Sequence, residues 1–288
     1  MGIRLYADLA LLAVTAIWGA TFVIVKDAVS CYPAFSFLSL RFALAVFSFL
    51  PLLLRNRNPA KLGELKAGFL TGLFLFAGYA FQTLGLKFTT ASKAGFITGL
   101  SVVIVPILST LFLGQSPPRR VWVGAGLATI GLAFLSLKGS FIPSTGDLLV
   151  LACAVAYAAQ IVALGKFAPR MHPFPLTFAQ LLIVMFMSIA LALSIERPVP
   201  IPTSKVIWAA IFTGIPATSL AFCVQTFAQK YTSPSHAALI FSAEPVFAAL
   251  FAFLIAGETL GPRELLGCIL IIAAMLLAEP EAHKGREK

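Results

Sequence analysis

Two ionisable side chains, Arg41 and Glu244, lie in the middle of long apolar stretches of the sequence. The other acidic and basic residues fall at or near the ends of such stretches. A guanidinium group binds a carboxylate through paired hydrogen bonds, and a carboxylate binds an ammonium group. Arg41 and Glu244 would therefore suit the two ends of a zwitterionic molecule. The alternative is that they bind each other as a permanent ion pair, and the sequence leaves both interpretations open.

A second group of candidate residues carries aromatic rings or amides. Its members are Trp18, Tyr79, Gln82, Tyr157, Gln160 and Gln225. Tyr79 and Gln82 are three positions apart, as are Tyr157 and Gln160, so each pair shares one face of a helix. Rings and amides around a cavity would accept an apolar side chain and bind the polar groups next to it. Packing in the protein core is the alternative for each of these residues.

The composition places these residues in a membrane. Of 288 residues, 59% are hydrophobic and 11% are charged, and the mean hydropathy is +0.96. Water-soluble domains typically carry about 25% charged residues. A spanning helix needs roughly 20 residues, so repeated spans leave no room for a sizeable soluble domain. In lipid, ionised groups in mid-span are costly and must face the protein interior, which makes Arg41 and Glu244 candidates for function.

The apolar stretches predict an all-α membrane protein with ten transmembrane helices. They lack the alternation with period two of barrel strands, so helices must satisfy the backbone in lipid. Pro106, Pro216 and Pro245 lie within spans and would act either as hinges or as static kinks. The helices are predicted at about 8–25, 33–54, 65–86, 93–113, 120–137, 147–165, 174–194, 206–229, 236–256 and 263–279.

The net charge of +10 indicates topology rather than a nucleic-acid partner. With both termini inside, 13 Lys and Arg residues fall on the cytoplasmic side and 7 on the outer side. Cytoplasmic loops carry the excess of positive charge, so both termini are predicted to be cytoplasmic. The opposite orientation would require the basic cluster from Arg55 to Lys66 to cross the membrane.

An internal repeat divides the chain into halves at 1–139 and 140–288. Three residues of the first half recur 139 positions later: Asp8, Trp18 and Arg41 as Asp147, Tyr157 and Gln180. Others recur 143 positions later: Gln82, Thr83, Lys87 and Thr89 as Gln225, Thr226, Lys230 and Thr232. Five spans per half force the second half to insert upside down, an arrangement typical of secondary transporters. Duplication without alternating access is the alternative.

Several motifs together resemble the EamA branch of the drug/metabolite transporter superfamily. They are the stretch from Lys87 to Ile97, its partner from Lys230 to Ile240, Glu244-Pro245, Gly257-Glu258, Trp18-Gly19 and Leu40-Arg41-Phe42. The resemblance covers nearly the whole chain and implies two five-helix units. The aromatic content and the opening from Trp18 to Phe22 are similar to bacterial members that export aromatic amino acids and other metabolites.

We therefore predict a secondary transporter in the bacterial inner membrane that exports amino acids, aromatic and other, and related metabolites by alternating access. The predicted partners are the small-molecule substrate and the lipid bilayer, with no nucleic acid and no cofactor, and the chain acts as a monomer or weak homodimer. No ATP-binding glycine loop or catalytic motif occurs, so neither an enzyme nor a metal site is predicted. The alternatives are an efflux pump for drugs or quaternary cations, in which Glu244 would dominate recognition, and a channel or scaffold without alternating access.

Overall fold

A computed structural model describes residues 2–55, 60–137, 144–256 and 261–278. These residues form helices and, among them, no strand. The helical segments are α1 (Gly2–Gly19 and Thr21–Cys31), α2 (Ala34–Arg55), α3 (Leu62–Gly85), α4 (Ala91–Gly99 and Ser101–Leu113), α5 (Arg119–Ser136), α6 (Thr145–Arg170), α7 (Pro173–Ile195), α8 (Ser204–Ala228), α9 (Pro234–Phe241 and Glu244–Ala256) and α10 (Pro262–Ala278). Eight of these segments are long and apolar enough to cross a membrane. The other two helical segments among the described residues are α5 and α10, with 18 and 17 residues. The all-α membrane fold is confirmed.

Some predicted features fall outside the described residues. They are the boundary between residues 139 and 140, Gly257-Glu258, Arg57, Lys138 and the charged residues after position 278.

Polar side chains fix where several helices begin. The Thr90 hydroxyl accepts a hydrogen bond from the Lys93 backbone N–H at the start of α4. The Ser144 hydroxyl accepts one from the Asp147 N–H, while the Asp147 carboxylate accepts one from the Ser144 N–H. These side chains satisfy backbone donors that have no partner within the helix. Helix α1 runs from residue 2 to residue 31, well beyond the predicted 8–25. The prediction followed the apolar stretch alone, whereas the helix also includes the polar and charged residues on either side of it.

Three segments predicted as continuous helices are interrupted near their middle. Helix α1 breaks at Ala20, α4 at Leu100, and α9 at Ser242 and Ala243. Pro245 lacks a backbone N–H and cannot continue the hydrogen-bond ladder at the break in α9. Pro106, in contrast, lies inside an uninterrupted stretch of α4. Hydropathy averages over a window of residues and therefore does not detect such breaks.

Helices α1 and α9 meet at their breaks. A Cβ atom added to Gly19 would lie 2.8 Å from the Glu244 backbone oxygen and 2.9 Å from the Ala248 nitrogen. Only a residue without a side chain allows this approach, which brings the first turn of Glu244–Ala256 against the middle of α1.

The packing joins the first five segments to the last five. Helix α3 packs on α6, and its repeat partner α8 packs on α1 in the same way. Helix α4 also packs on α6, and its repeat partner α9 packs on α1. Helices α2 and α7 form one further pair, and α5 and α10 form another. Large apolar side chains such as Phe47, Phe112 and Trp208 are exposed on the outside. An apolar exterior of this extent suits lipid rather than water.

Candidate functional site

One cavity lies among the helices near their breaks. It is lined by charged, amide, hydroxyl and aromatic side chains. All eight residues singled out from the sequence line it: Trp18, Arg41, Tyr79, Gln82, Tyr157, Gln160, Gln225 and Glu244. The remaining lining residues are Thr21, Leu75, Thr98, Ser101, Ile161, Phe222 and Phe241.

Arg41 lies on α2 and is held by two hydroxyl groups. Its Nε donates a hydrogen bond to Thr218 Oγ1 (2.9 Å), and its Nη2 donates one to the Tyr79 hydroxyl (3.0 Å). The guanidinium carbon lies 4.6 Å from the centre of the Tyr79 ring, a distance at which the ring face attracts a cation. The side chain is 3% exposed. Among the described residues, Nη1 has no acceptor within hydrogen-bond distance, so this nitrogen is available to a ligand.

Glu244 is the first residue of the second half of α9. A carboxylate is favoured there because the free N–H groups of a helix N-terminus carry partial positive charge. Within the described parts of the chain, the carboxylate has no hydrogen-bond partner and forms no ion pair within 4.0 Å with Arg41. Arg41 and Glu244 therefore line the same cavity as separate side chains and do not form the ion pair considered as the alternative.

Aromatic rings form one wall of the cavity. The Trp18 ring packs against Phe222 and Phe241, with ring centres 5.5 and 5.2 Å apart. Tyr79 packs edge to face against Tyr157 at 5.6 Å. Such tilted and edge-to-face contacts are favourable between aromatic rings. The wall presents apolar ring surface to whatever occupies the cavity.

The amide side chains form two small networks. Gln82 accepts a hydrogen bond from the Tyr157 hydroxyl (3.3 Å) and donates one to Thr98. Gln160 accepts one from Gln225 and donates one to Gln180, both at 3.3 Å. The side-chain oxygen of Gln225 is buried and has no donor among the described residues.

The Tyr157 ring depends on the absence of a side chain at Gly78, since a Cβ there would overlap the ring. Gly78→Ala is expected to lower the free energy of unfolding by about 1–3 kcal/mol, because overpacking must displace the ring. Thermal unfolding of the purified protein measures this effect. Gly126→Ala is the matched control, since no atom lies within 4 Å of a Cβ at that position. Equal thermal unfolding midpoints for Gly78→Ala and Gly126→Ala would show that the Tyr157 ring can be displaced without loss of stability.

A polar cluster lies at each end of the helix bundle. In the Asp8 cluster, Asp8 accepts a hydrogen bond from Thr232 (2.7 Å) and lies 3.3 Å from His236 Nε2, which ties α1 to the start of α9. In the Asp147 cluster, Asp147 accepts one from Thr89 (2.5 Å) and lies 3.8 Å from Lys93, which ties α6 to the start of α4. The carboxylates are repeat partners, as are the two threonines. The sequence identified these pairs but not their contacts.

The sequence analysis missed the seven remaining lining residues, among them Ser101, and it missed Thr218, which contacts Arg41. Ser101 lines the cavity at the start of the second half of α4. It stands 143 positions before Glu244, so the spacing of the repeat could have identified it. Thr218 does not line the cavity but holds Arg41, and no sequence signal indicated this role. In the described part of the chain, no three His, Cys, Asp or Glu side chains converge closely enough to hold a metal ion.

Comparisons with known proteins give matches over most of the chain. The model of the EamA-like transporter family matches residues 5–137 and 144–278. An "uncharacterized transporter" of Archaeoglobus fulgidus is 38% identical over 95% of this chain and 86% of its own length. The "uncharacterized inner membrane transporter YedA" of Escherichia coli K12 is 24% identical over 93% of this chain and 89% of its own.

Two further matches are less similar in sequence to this chain than the Archaeoglobus relative. A "probable amino-acid metabolite efflux pump" of Salmonella typhimurium is 26% identical, covering 92% of both chains. One solved crystal structure has a TM-score of 0.80 at 21% identity, covering 95% of this chain and 98% of the other. At that identity the similarity shows the fold alone.

Proposed function

This chain belongs to the EamA-like transporter family, and from that premise we propose that it exports amino acids with apolar or aromatic side chains, and related metabolites, by alternating access. The chain is a multi-pass membrane transporter. The charge bias supports an orientation with both termini in the cytoplasm, and the name of the Escherichia coli relative supports an inner-membrane location. We propose that the two halves, 1–139 and 140–288, act as inverted units within a monomer.

One observation carries the substrate class: an unpaired cation and an unpaired carboxylate line the same cavity. Arg41 offers Nη1 to a substrate carboxylate, and Glu244 offers its carboxylate to a substrate ammonium group. Isolated buried charges are costly, so a ligand that neutralises both is bound more favourably than a ligand that neutralises one. An α-amino acid carries both groups on the same carbon atom.

The aromatic wall supports a preference for apolar or aromatic side chains. A substrate side chain placed against Trp18, Phe222 and Phe241 would leave water and gain ring contacts. The Salmonella typhimurium relative, named a probable amino-acid metabolite efflux pump, supports the same substrate class.

The Asp8 and Asp147 clusters support alternating access. Helix α1 begins at one face of the membrane, and five crossings later α6 begins at the other. The clusters therefore act as latches at opposite faces, with the cavity between them. Both are formed together here, as expected for an occluded state. Opening one while the other stays closed would expose the cavity to one side at a time.

Glu244→Gln tests which end of the substrate this carboxylate binds. The KM for L-phenylalanine and for 2-phenylethylamine should rise at least about tenfold, because both carry an ammonium group and lose a charge-assisted hydrogen bond. The KM for 3-phenylpropionate, which has the carboxylate alone, should stay within about twofold. Initial rates in proteoliposomes measure all three.

Glu264→Gln is the matched control, because Glu264 lies on α10 away from the cavity. An equal loss for all three compounds would contradict the assignment of Glu244 to the ammonium group.

An export screen tests the substrate class in cells. Cells that overproduce the protein should resist toxic analogues of aromatic amino acids and should gain no resistance to cationic dyes. Resistance to the dyes alone would favour an efflux pump for cations.

A further inference from the structure

One turn of α8, Ile215–Leu220, is wound as a π-helix. The Ala221 N–H donates to the Pro216 carbonyl, five residues back, and to the Thr218 carbonyl, whereas in a regular α-helix it would donate to the Ala217 carbonyl. Pro216 itself has no N–H to donate. The Ala217 carbonyl is thereby released from the bond it would otherwise accept from Ala221.

Two cavity side chains on other helices use the groups that this turn presents. Trp18 Nε1, on α1, donates to the Ala217 carbonyl at 2.8 Å. Arg41 Nε, on α2, donates to the Thr218 hydroxyl at 2.9 Å, and that hydroxyl donates to the Thr213 carbonyl at 2.7 Å. Thr218 is fully buried. A single irregular turn thus holds the aromatic and the cationic parts of the site in one geometry.

We propose that the π-turn around Pro216 is the positioning element of the cavity, and that Thr218 positions Arg41 for substrates that carry a carboxylate. With Nε bound to Thr218 and Nη2 bound to Tyr79, the guanidinium group is fixed and Nη1 is left for the ligand. The role of Thr218 rests on the proposed function, whereas the orientation of Trp18 by Ala217 does not. π-turns interrupt the regular ladder of a helix and frequently occur at functional sites.

Transport kinetics test the role of Thr218. Thr218→Val keeps the shape of the side chain but removes the acceptor, so the KM for L-phenylalanine should rise about tenfold while Vmax stays within about twofold. The KM for 2-phenylethylamine, which lacks the carboxylate, should not change. Thr218→Ser restores the hydroxyl and should restore the KM. An unchanged KM for L-phenylalanine in Thr218→Val, or an equal rise for both compounds, would overturn the positioning role.

A measurement without substrate tests the turn itself. The chain has three tryptophans, and Trp122→Phe with Trp208→Phe, both exposed positions, leaves Trp18 as the single indole for ¹⁵N NMR. Pro216→Ala should let the turn become regular, so the Trp18 indole proton should lose its acceptor and shift upfield.

An unchanged indole resonance in Pro216→Ala would overturn the positioning role of the turn. If the resonance shifts while the parent protein transports no L-phenylalanine, the proposed substrate class fails and the orientation of Trp18 by the turn stands.

Discussion

Replacing Arg41 by Gln is expected to raise the KM for L-phenylalanine at least about 30-fold and to leave the KM for 2-phenylethylamine within about threefold. Truncating one partner of a buried charge pair costs about 2–5 kcal/mol, and each 1.4 kcal/mol is a factor of ten in affinity. The loss is selective because only L-phenylalanine carries the carboxylate that Arg41 binds. Proteoliposome uptake at varied substrate concentration measures both constants.

Arg55→Gln is the control for this variant. It makes the same change at the exposed end of the same helix and should leave both constants unchanged. Arg41→Gln protein that fails to fold would instead indicate that Arg41 serves the structure. A well-folded Arg41→Gln protein with equal losses for the two compounds would contradict a carboxylate-binding role.

Disrupting the Asp8 cluster and the Asp147 cluster is expected to open the cavity to opposite faces of the membrane. Asp8→Asn should expose the cavity to the face where α1 begins, and Asp147→Asn should expose it to the other face. Each change removes charge-assisted hydrogen bonding worth about 1.5–3 kcal/mol, enough to shift the equilibrium between the two openings at least about tenfold.

A cysteine at Ser101 reports this shift, since Ser101 lines the cavity. In a background without the four native cysteines, Ser101→Cys is labelled by a membrane-impermeant maleimide from either side of oriented vesicles. The ratio of the two labelling rates should move in opposite directions in Asp8→Asn and Asp147→Asn.

Asp27→Asn is the control for the latches. Asp27 pairs with Lys205 at 2.7 Å, but the two side chains are 57% and 65% exposed, and exposed pairs contribute little. Its labelling ratio should equal that of the parent. Ratios that move in the same direction in both latch variants would contradict alternating access.

The polar and charged cavity residues could be found from the sequence because such side chains are unfavourable in contact with lipid. Arg41 and Glu244 are too costly to face hydrocarbon, so their position in mid-span alone predicts an interior location. The amides of Gln82, Gln160 and Gln225 are also unfavourable in contact with hydrocarbon, though less so than a charge. The same reasoning therefore predicts that they face the protein interior. All three line the cavity beside the two charges.

Other parts of the site could not be predicted, since they depend on backbone geometry and on contacts between distant segments. Leu75 and Phe222 line the cavity, but apolar residues look the same in a sequence whether they face lipid, core or ligand. The release of the Ala217 carbonyl requires a π-turn, which hydrophobic periodicity does not reveal. The repeat paired Asp8 with Asp147, yet only the fold shows that each carboxylate binds a threonine of the other half.

The most direct test of a zwitterion site with alternating access is counterflow in proteoliposomes that contain the unmodified protein. Vesicles loaded with unlabelled L-phenylalanine should accumulate labelled L-phenylalanine transiently and saturably. Excess 2-phenylethylamine or 3-phenylpropionate should compete at least about tenfold more weakly than L-phenylalanine, since each satisfies only one of the two charges. Flux that rises linearly with concentration and does not depend on the substrate inside the vesicles would contradict a zwitterion site with alternating access.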